Sequence, residues 1–193
     1  MKILVTGAAG FIGMHVAQRC LMAGHEVHGL DNLNAYYDVR LKHYRLGVLQ
    51  GYKNFDFIKL DLKDRDAVAH LFDQEPYDVV IHLAAQAGVR HSLEAPFEYV
   101  DSNLVGFMAV LEGVRAQACR HFIYASSSSV YGANAKVPFE EDDRVDEPAS
   151  LYAATKKANE LMACSYASLY KIPTTGLGKD VALITDGPPF GPS

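Results

Sequence analysis

The stretch ILVTGAAGFIGMHV, residues 3–16, runs from an apolar segment through Gly7, Gly10 and Gly13 into a helical pattern that begins at Phe11. Glycine at Gly7 and Gly10 lets main-chain amides approach a pyrophosphate, Gly13 lets the helix pack on the strand, and a helix N-terminus favours the anion's charge. Loops also collect glycine for turn reasons alone, so the surroundings matter. The next apolar run, EVHGLD at 26–31, ends in Asp31, 18 residues after Gly13. A carboxylate there accepts ribose hydroxyls and repels the extra phosphate of NADP, which predicts an NAD site. The plainer reading of Asp31 is a turn or N-cap acid. Asp61, in KLDLKD after the third run, has the same two readings: reach to the adenosine, or a cap on the helix that follows.

Working outward, apolar runs recur at 3–6, 27–30, 55–60, 79–83 and 122–125, with helix-like segments between them. Such alternation predicts α/β architecture: a doubly wound parallel sheet of the Rossmann type, strand order 3-2-1-4-5, with a possible sixth strand at 181–185. VVIHLAA and HFIYAS are continuously apolar, as strands covered on both faces should be. One amphipathic helix is expected over 97–118, with Val100, Leu104, Phe107, Leu111, Val114 and Ala118 at steps of three and four. A second is expected over 150–170, N-capped by Ser150, with Leu151, Ala154, Ala158, Leu161, Ser165 and Leu169 on one apolar stripe. The acidic EEDDRVDE at 140–147 reads as a solvated loop.

Composition narrows the function classes. Eighteen Lys and Arg against 23 Asp and Glu give a net charge of −5, so the basic excess of a nucleic-acid binder is missing. Cys20, Cys119 and Cys164 are far apart and odd in number, which suggests neither a disulfide framework nor a metal site and fits a reducing cytoplasm. No apolar stretch approaches the ~20 residues of a membrane span, so an unprocessed cytoplasmic protein is expected.

Chemistry concentrates further along. Tyr152 and Lys156 lie four apart on the second helix, on one face, where an ammonium favours phenolate and suits tyrosine to act as a general base. The pair alone is common on exposed helix faces. The preceding strand, however, runs into ASSSSVYG at 125–132, hydroxyls at the carboxyl end of a parallel strand, where open sheets bind ligands.

These residues resemble the extended short-chain dehydrogenase/reductase (NAD-dependent epimerase/dehydratase) family, whose signature is a GxxGxxG loop, a strand-end serine or threonine, and a YxxxK helix. Within it, DNLNAYYDVRLKHYRL at 31–46, HLAAQAGVRHSLEAPFEYVDSNLVG at 82–106 and YASSSSVYG at 124–132 are similar to UDP-glucuronate 4-epimerases. The resemblance implies Ser127, Tyr152 and Lys156 as catalytic residues. It implies cofactor contacts at Gly7, Gly10, Phe11, Ile12, Gly13, Asp31, Asn32, Asp61, Leu62, Leu83, Ala84, Ala85, Ala87 and Asn103. Ser126 would line the nicotinamide, and Tyr152 and Lys156 would touch the cofactor as well. It implies a UDP-sugar substrate, and a homodimer through helices 97–118 and 150–170.

Nucleotide-sugar dehydratases and decarboxylases in this family carry an acid near the positions of Ser127, Ser128 and Ser129. Elimination of water needs such an acid, so three serines point to oxidation and re-reduction at C4. Ser128 and Ser129 would also donate hydrogen bonds to a sugar carboxylate, in keeping with a uronate. Arg90 either meets the diphosphate or carboxylate or is an exposed arginine.

The resemblance covers 1–177, taken as the NAD-binding domain, and stops there. Where the family continues into a substrate-gripping domain, this chain has an atypical tail, 178–193, whose GKDVALITDG resembles a short piece of dihydroxy-acid dehydratases. Binding energy that orients a substrate would be reduced without that domain. Two functions are therefore expected to compete: a 4-epimerase, and an NAD-binding remnant without turnover.

Overall fold

Lys2–Thr6 forms β1, and the glycine loop after it leads into α1, Phe11–Met22. The chain continues through β2 (Glu26–Asp31), α2 (Val39–Gln50), β3 (Phe55–Lys59), α3 (Arg65–Gln74) and β4 (Val79–His82). Two short helices, α4 (His91–Glu94) and α5 (Pro96–Tyr99), lead through a π-helical segment, Val100–Val105, into α6 (Gly106–Gln117). Then come β5 (His121–Ala125), a 3-10 turn (Ser128–Tyr131), α7 (Leu151–Tyr170), β6 (Thr174–Leu177) and β7 (Ala182–Thr185). The structure is a computed structural model that describes residues 1–117, 119–132, 145–178 and the main chain of 182–185.

The strands lie in the order β3-β2-β1-β4-β5-β6-β7, and the first six are parallel. β1 sits between β2 and β4, so the winding reverses there and the crevice outside Thr6 and His82 is the sheet's natural ligand site. The sixth strand is Thr174–Leu177. The run in which a sixth strand was expected supplies instead a seventh, antiparallel to β6, with Val181 outside the described residues. An antiparallel neighbour needs only a short connection, whereas a parallel one would need a crossover.

Alternation along the strands builds two cores. Ile3, Val5, Val27, Val79 and Ile81 face Ala17 and Leu21 of α1 and Leu46 and Leu49 of α2. Leu4, Leu30, Val80 and Phe122 face Val68 and Phe72 of α3, Phe107, Leu111 and Val114 of α6, and Ala163 of α7. Each fully buried side chain of this size contributes roughly 1.5–3 kcal/mol.

The long helices depart from the expected stripes in ways the packing explains. In the 97–118 region Phe107, Leu111 and Val114 are buried as expected, while Val100 and Leu104 are only half-buried. The π segment inserts an extra residue per turn there and rotates the earlier face away. Ala118 lies outside the described residues. In α7, Ser150 caps the helix as expected, accepting from Ala153 N at 3.1 Å. Its stripe does not turn inward: Leu161 and Leu169 are 61% and 68% exposed, and the buried residues are Ala153, Thr155, Lys156, Asn159, Glu160, Ala163 and Ala167. Small and polar side chains make the face that meets the end of β5, where Lys156 and Glu160 bond Ala125 and Ser126.

Candidate active site

Gly7 has φ +71°, and a Cβ on it would stand 2.8 Å from Ala84 N. A Cβ on Gly13 would stand 2.0 Å from Gly7 O, so the two glycines bring β1, the first turn of α1 and the end of β4 together. Thr6, at the end of β1, locks the same junction: its hydroxyl oxygen accepts from Leu83 N (3.2 Å) and Ala84 N (3.1 Å) and lies 3.0 Å from His82 Nδ1. With both lone pairs engaged, the Thr6 O–H donates to His82, whose burial holds the imidazole neutral, its pKa pushed down to about 3.

Beside this junction an open cleft of about 790 Å³ is lined by Gly7, Gly10, Asp31, Asn32, Asp61, Leu62, Leu83, Ala84, Ala85 and Ala87, ten of the expected cofactor residues. A second depression, sharing Gly7, Gly10, Tyr37 and Leu83 with the first, adds Phe11, Ile12 and Gly13 and reaches Ala125 at the end of β5. Together they make one groove over the glycine loop, from the end of β2 to the end of β5.

Asp31 is buried in this wall. Its Oδ2 accepts from Ala9 N at 3.2 Å; its Oδ1 accepts from Leu33 N at 2.8 Å and from Lys42 Nζ at 3.4 Å. Asp31 is thus a turn acid and a cleft acid at once, and one of a carboxylate's roughly four acceptor sites stays open toward the cleft. Asp61 lines the cleft and does not cap α3. Asn32 Nδ2 donates to its Oδ2 at 3.2 Å, while the helix that follows is capped by Asp64, which accepts from Ala67 N.

Tyr152, Lys156 and Ser127 come together past the far end of the groove. Tyr152 stands beside Ser127, whose Oγ donates to Ser129 Oγ at 3.1 Å. Burial raises the Tyr152 pKa and the nearby Ser127 hydroxyl pulls it back down. Lys156, 3% exposed, donates to Ala125 O at 2.9 Å, and burial lowers its pKa to about 8. Ser128 and Ser129 are half-buried in the 3-10 turn beside them.

Three expected contacts are placed differently. Asn103, 1% exposed, is a clamp: Oδ1 accepts from Gln86 N at 2.8 Å, and Nδ2 donates to Gln86 O at 3.0 Å and Thr155 Oγ1 at 3.1 Å. The π turn aims it there, and its neighbour Ser102 lines the cleft instead. Ser126 spends its hydroxyl on Glu160 Oε1 at 2.5 Å, so only its main chain is left to line the groove. Arg90 is exposed, in the turn that opens α4.

Other residues escaped the sequence reading. Lys42, 5% exposed, also donates to Asn34 Oδ1 at 2.8 Å, and Arg45 donates to Ala9 O at 3.3 Å and Tyr37 Oη at 2.9 Å beside the glycine loop. Both lie inside the 31–46 stretch, three apart on α2, and that spacing was the available signal. Gln86, 3% exposed, has an Nε2 without a hydrogen-bond partner, although it lies near enough to the Tyr99 hydroxyl to ease that group's ionisation. An orphaned buried donor in the cleft wall, together with the glycine cradle, fits a bound molecule rich in acceptors, as a dinucleotide is.

Residues 3–178 match the model of the NAD dependent epimerase/dehydratase family. The chain belongs to that family. It is 55% identical over 175 residues to a probable UDP-glucuronate 4-epimerase of Rhizobium meliloti, covering 91% of this chain and 51% of that protein. It is 49% identical to UDP-glucuronate 4-epimerase 2 of Arabidopsis thaliana, covering 92% of this chain and 41% of that one. Among solved structures, the UDP-glucuronic acid 4-epimerase of Bacillus cereus, in complex with UDP-glucuronic acid and NAD, superposes with a TM-score of 0.84 at 36% identity, covering 92% of this chain and 56% of that chain. The family member thus spans about half the length of the curated relatives it matches. Among its described residues no helix is long and apolar enough to cross a membrane.

Proposed function

We propose that this chain binds NAD in the groove over the glycine loop and carries the chemical groups of a UDP-glucuronate 4-epimerase. The observation that carries the proposal is the meeting of Ser127, Tyr152 and Lys156 at the end of β5, where the groove from Asp31 terminates and Lys156 donates to Ala125 O. The similarity to UDP-glucuronate 4-epimerases over nine-tenths of the chain supports the same reading. Free Cys20, Cys119 and Cys164 agree with a cytoplasmic setting.

Gly7, Gly10, Phe11, Ile12 and Gly13 would hold the pyrophosphate, and Asp31, Asn32 and Asp61 the adenosine end. NAD, when bound, supplies the acceptor and then the donor of a hydride at C4 of the sugar. Tyr152, as phenolate, takes the proton of the C4 hydroxyl while Ser127 holds the oxygen, so that the C4–H pair leaves as hydride and a C4 carbonyl forms. Once the keto sugar has presented its other face, Tyr152 would return the proton to the C4 oxygen, still held by Ser127. Lys156 anchors the strand end through Ala125 O and adds positive charge beside the phenol. Ser128 and Ser129 donate to the sugar carboxylate. The absence of an acid at Ser127–Ser129 disfavours elimination.

We further propose a homodimer through the helical stretches 97–118 and 150–170. Phe97 of α5 and Leu161 and Leu169 of α7 are 79%, 61% and 68% exposed, and a second copy would remove that surface from water.

The test is incubation of the purified chain, with NAD supplied, with UDP-glucuronate, and separation of the epimers by chromatography. UDP-galacturonate from the wild type and none from Tyr152→Phe supports the proposal. Bound NAD without product would assign the chain to the alternative, NAD binding without turnover.

A further inference from the structure

Three consecutive residues at the end of β5 are met by three residues of one face of α7. Ala125 O accepts from Lys156 Nζ, Ser126 Oγ donates to Glu160 Oε1, and Ser127 stands beside Tyr152, near enough to ease the ionisation of the phenol. Tyr152, Lys156 and Glu160 are spaced i, i+4, i+8, so they rise one above another along the helix. Two of these contacts belong to the site already described. The third has no part in the proposed chemistry, yet it is buried and charge-assisted.

Glu160 has a side chain only 9% exposed. A carboxylate at that depth is costly unless its oxygens are satisfied. Both are: Oε1 takes the Ser126 hydroxyl at 2.5 Å and Oε2 takes Lys157 Nζ at 3.2 Å. On its other side Ser126 is tied to β6, its N–H donating to Leu177 O at 2.8 Å. Ser126 is therefore pinned from both flanks, and the peptide that carries Ser127 cannot shift without breaking one of these bonds.

We propose that Glu160 is a positioning residue: by holding the Ser126 hydroxyl it fixes the register of the β5 end against α7, and so the distance between Ser127 and Tyr152. The inference rests on the reading of Tyr152 as the base. Hydrogen bonds to charged acceptors depend steeply on geometry, so a small slip of the strand end weakens the Ser127 bond to the phenolate far more than it disturbs the fold. The other titratable groups around the phenol are Lys156, one turn along, and Tyr99, whose ring meets that of Tyr152 edge-on at 6.2 Å. Neither hydrogen-bonds to Glu160, whose oxygens take Ser126 and Lys157.

The experiment uses the whole chain with tyrosine labelled at Cζ with carbon-13, the Tyr152 resonance being assigned by its loss in Tyr152→Phe. Titration curves are compared for wild type, Glu160→Ala, Glu160→Gln, Ser126→Ala and the double alanine variant, with NAD present. Glu160→Ala and Ser126→Ala should each displace the Tyr152 curve upward by about half a unit or more, because a weakened donor to the phenolate disfavours the charged form. Glu160→Gln keeps an acceptor for Ser126 and should restore most of the wild-type curve. The double variant should be no worse than either single one, since both remove the same bond. Ser126→Ala removes one hydroxyl and guards against a Glu160→Ala protein that does not fold. Curves that overlay the wild type while thermal stability falls would make Glu160 a purely structural acid and overturn the inference. A wild type that yields no epimer but shows the expected displacements would sink the substrate reading alone.

Discussion

The Lys156 ammonium donates to the carbonyl of Ala125 at 2.9 Å, so the cation of the YxxxK pair is tied to the end of β5. Burial lowers its pKa from 10.5 to about 8. Between those values the unfolded chain binds a proton that the folded chain releases, so stability rises with pH across that window and is lower by a constant amount below it. The full window is worth about 3 kcal/mol. Lys156→Met should abolish this slope, read as the difference between the two proteins' urea midpoints from pH 7 to 10.5.

His82 predicts a second window on the acid side. Its pKa is lowered from 6.5 to about 3, first by burial and then by the Lys156 charge. The stability it contributes is complete above pH 6.5 and is lost progressively as pH falls toward 3, at roughly 1.4 kcal/mol per unit. His82→Asn keeps an acceptor for the Thr6 hydroxyl and cannot titrate. Its denaturation midpoint is expected to fall less steeply than that of the wild type between pH 6.5 and 4.

Two helical glycines should respond to alanine with opposite signs. Gly47, in α2, is exposed, and a Cβ there meets nothing within 4 Å. Gly47→Ala is expected to stabilise by about 0.5–1 kcal/mol, the helix cost of glycine. Gly113, in α6, would place its Cβ 2.2 Å from Phe72 Cδ2. Gly113→Ala should lower stability by about 1–3 kcal/mol, the usual cost of overpacking. Thermal melts of the two variants separate these outcomes.

Asp31 and Lys42 should act differently on cofactor binding. Removing the carboxylate in Asp31→Ala ought to erase the preference for NAD over NADP, expected to be about tenfold or more in the wild type. Lys42→Met removes the donor to Asn34 and Asp31 and should weaken NAD while leaving that preference in place. Equilibrium binding of both dinucleotides to the three proteins measures this. An unchanged NADP affinity in Asp31→Ala would remove Asp31 from the ribose site.

Much of this was legible in the sequence because local physics repeats itself. The five apolar runs became five parallel strands, and Gly7, Gly10, Gly13 and Asp31 became one cleft, since strand, loop and helix there are adjacent in the chain. What was not legible depends on contacts across the chain. The stripe through Leu161 and Leu169 has the right period for a core face, but the face of α7 that meets β5 is chosen by the hydrogen bonds that Lys156 donates to Ala125 O and Glu160 accepts from Ser126. Asn103 reads as a contact by resemblance, and only the π turn shows that it clamps Gln86 to Thr155. Glu160 and Ser126 are 34 residues apart, a pairing no local pattern announces.

The most direct measurement follows the hydrogen on C4. UDP-glucuronate deuterated at C4 is incubated with the NAD-loaded chain in ordinary water, and the product is examined by mass spectrometry. Oxidation and re-reduction at one bound cofactor predicts UDP-galacturonate that keeps its deuterium. Product that has exchanged the label for solvent hydrogen, or no product with NAD bound, would contradict the account.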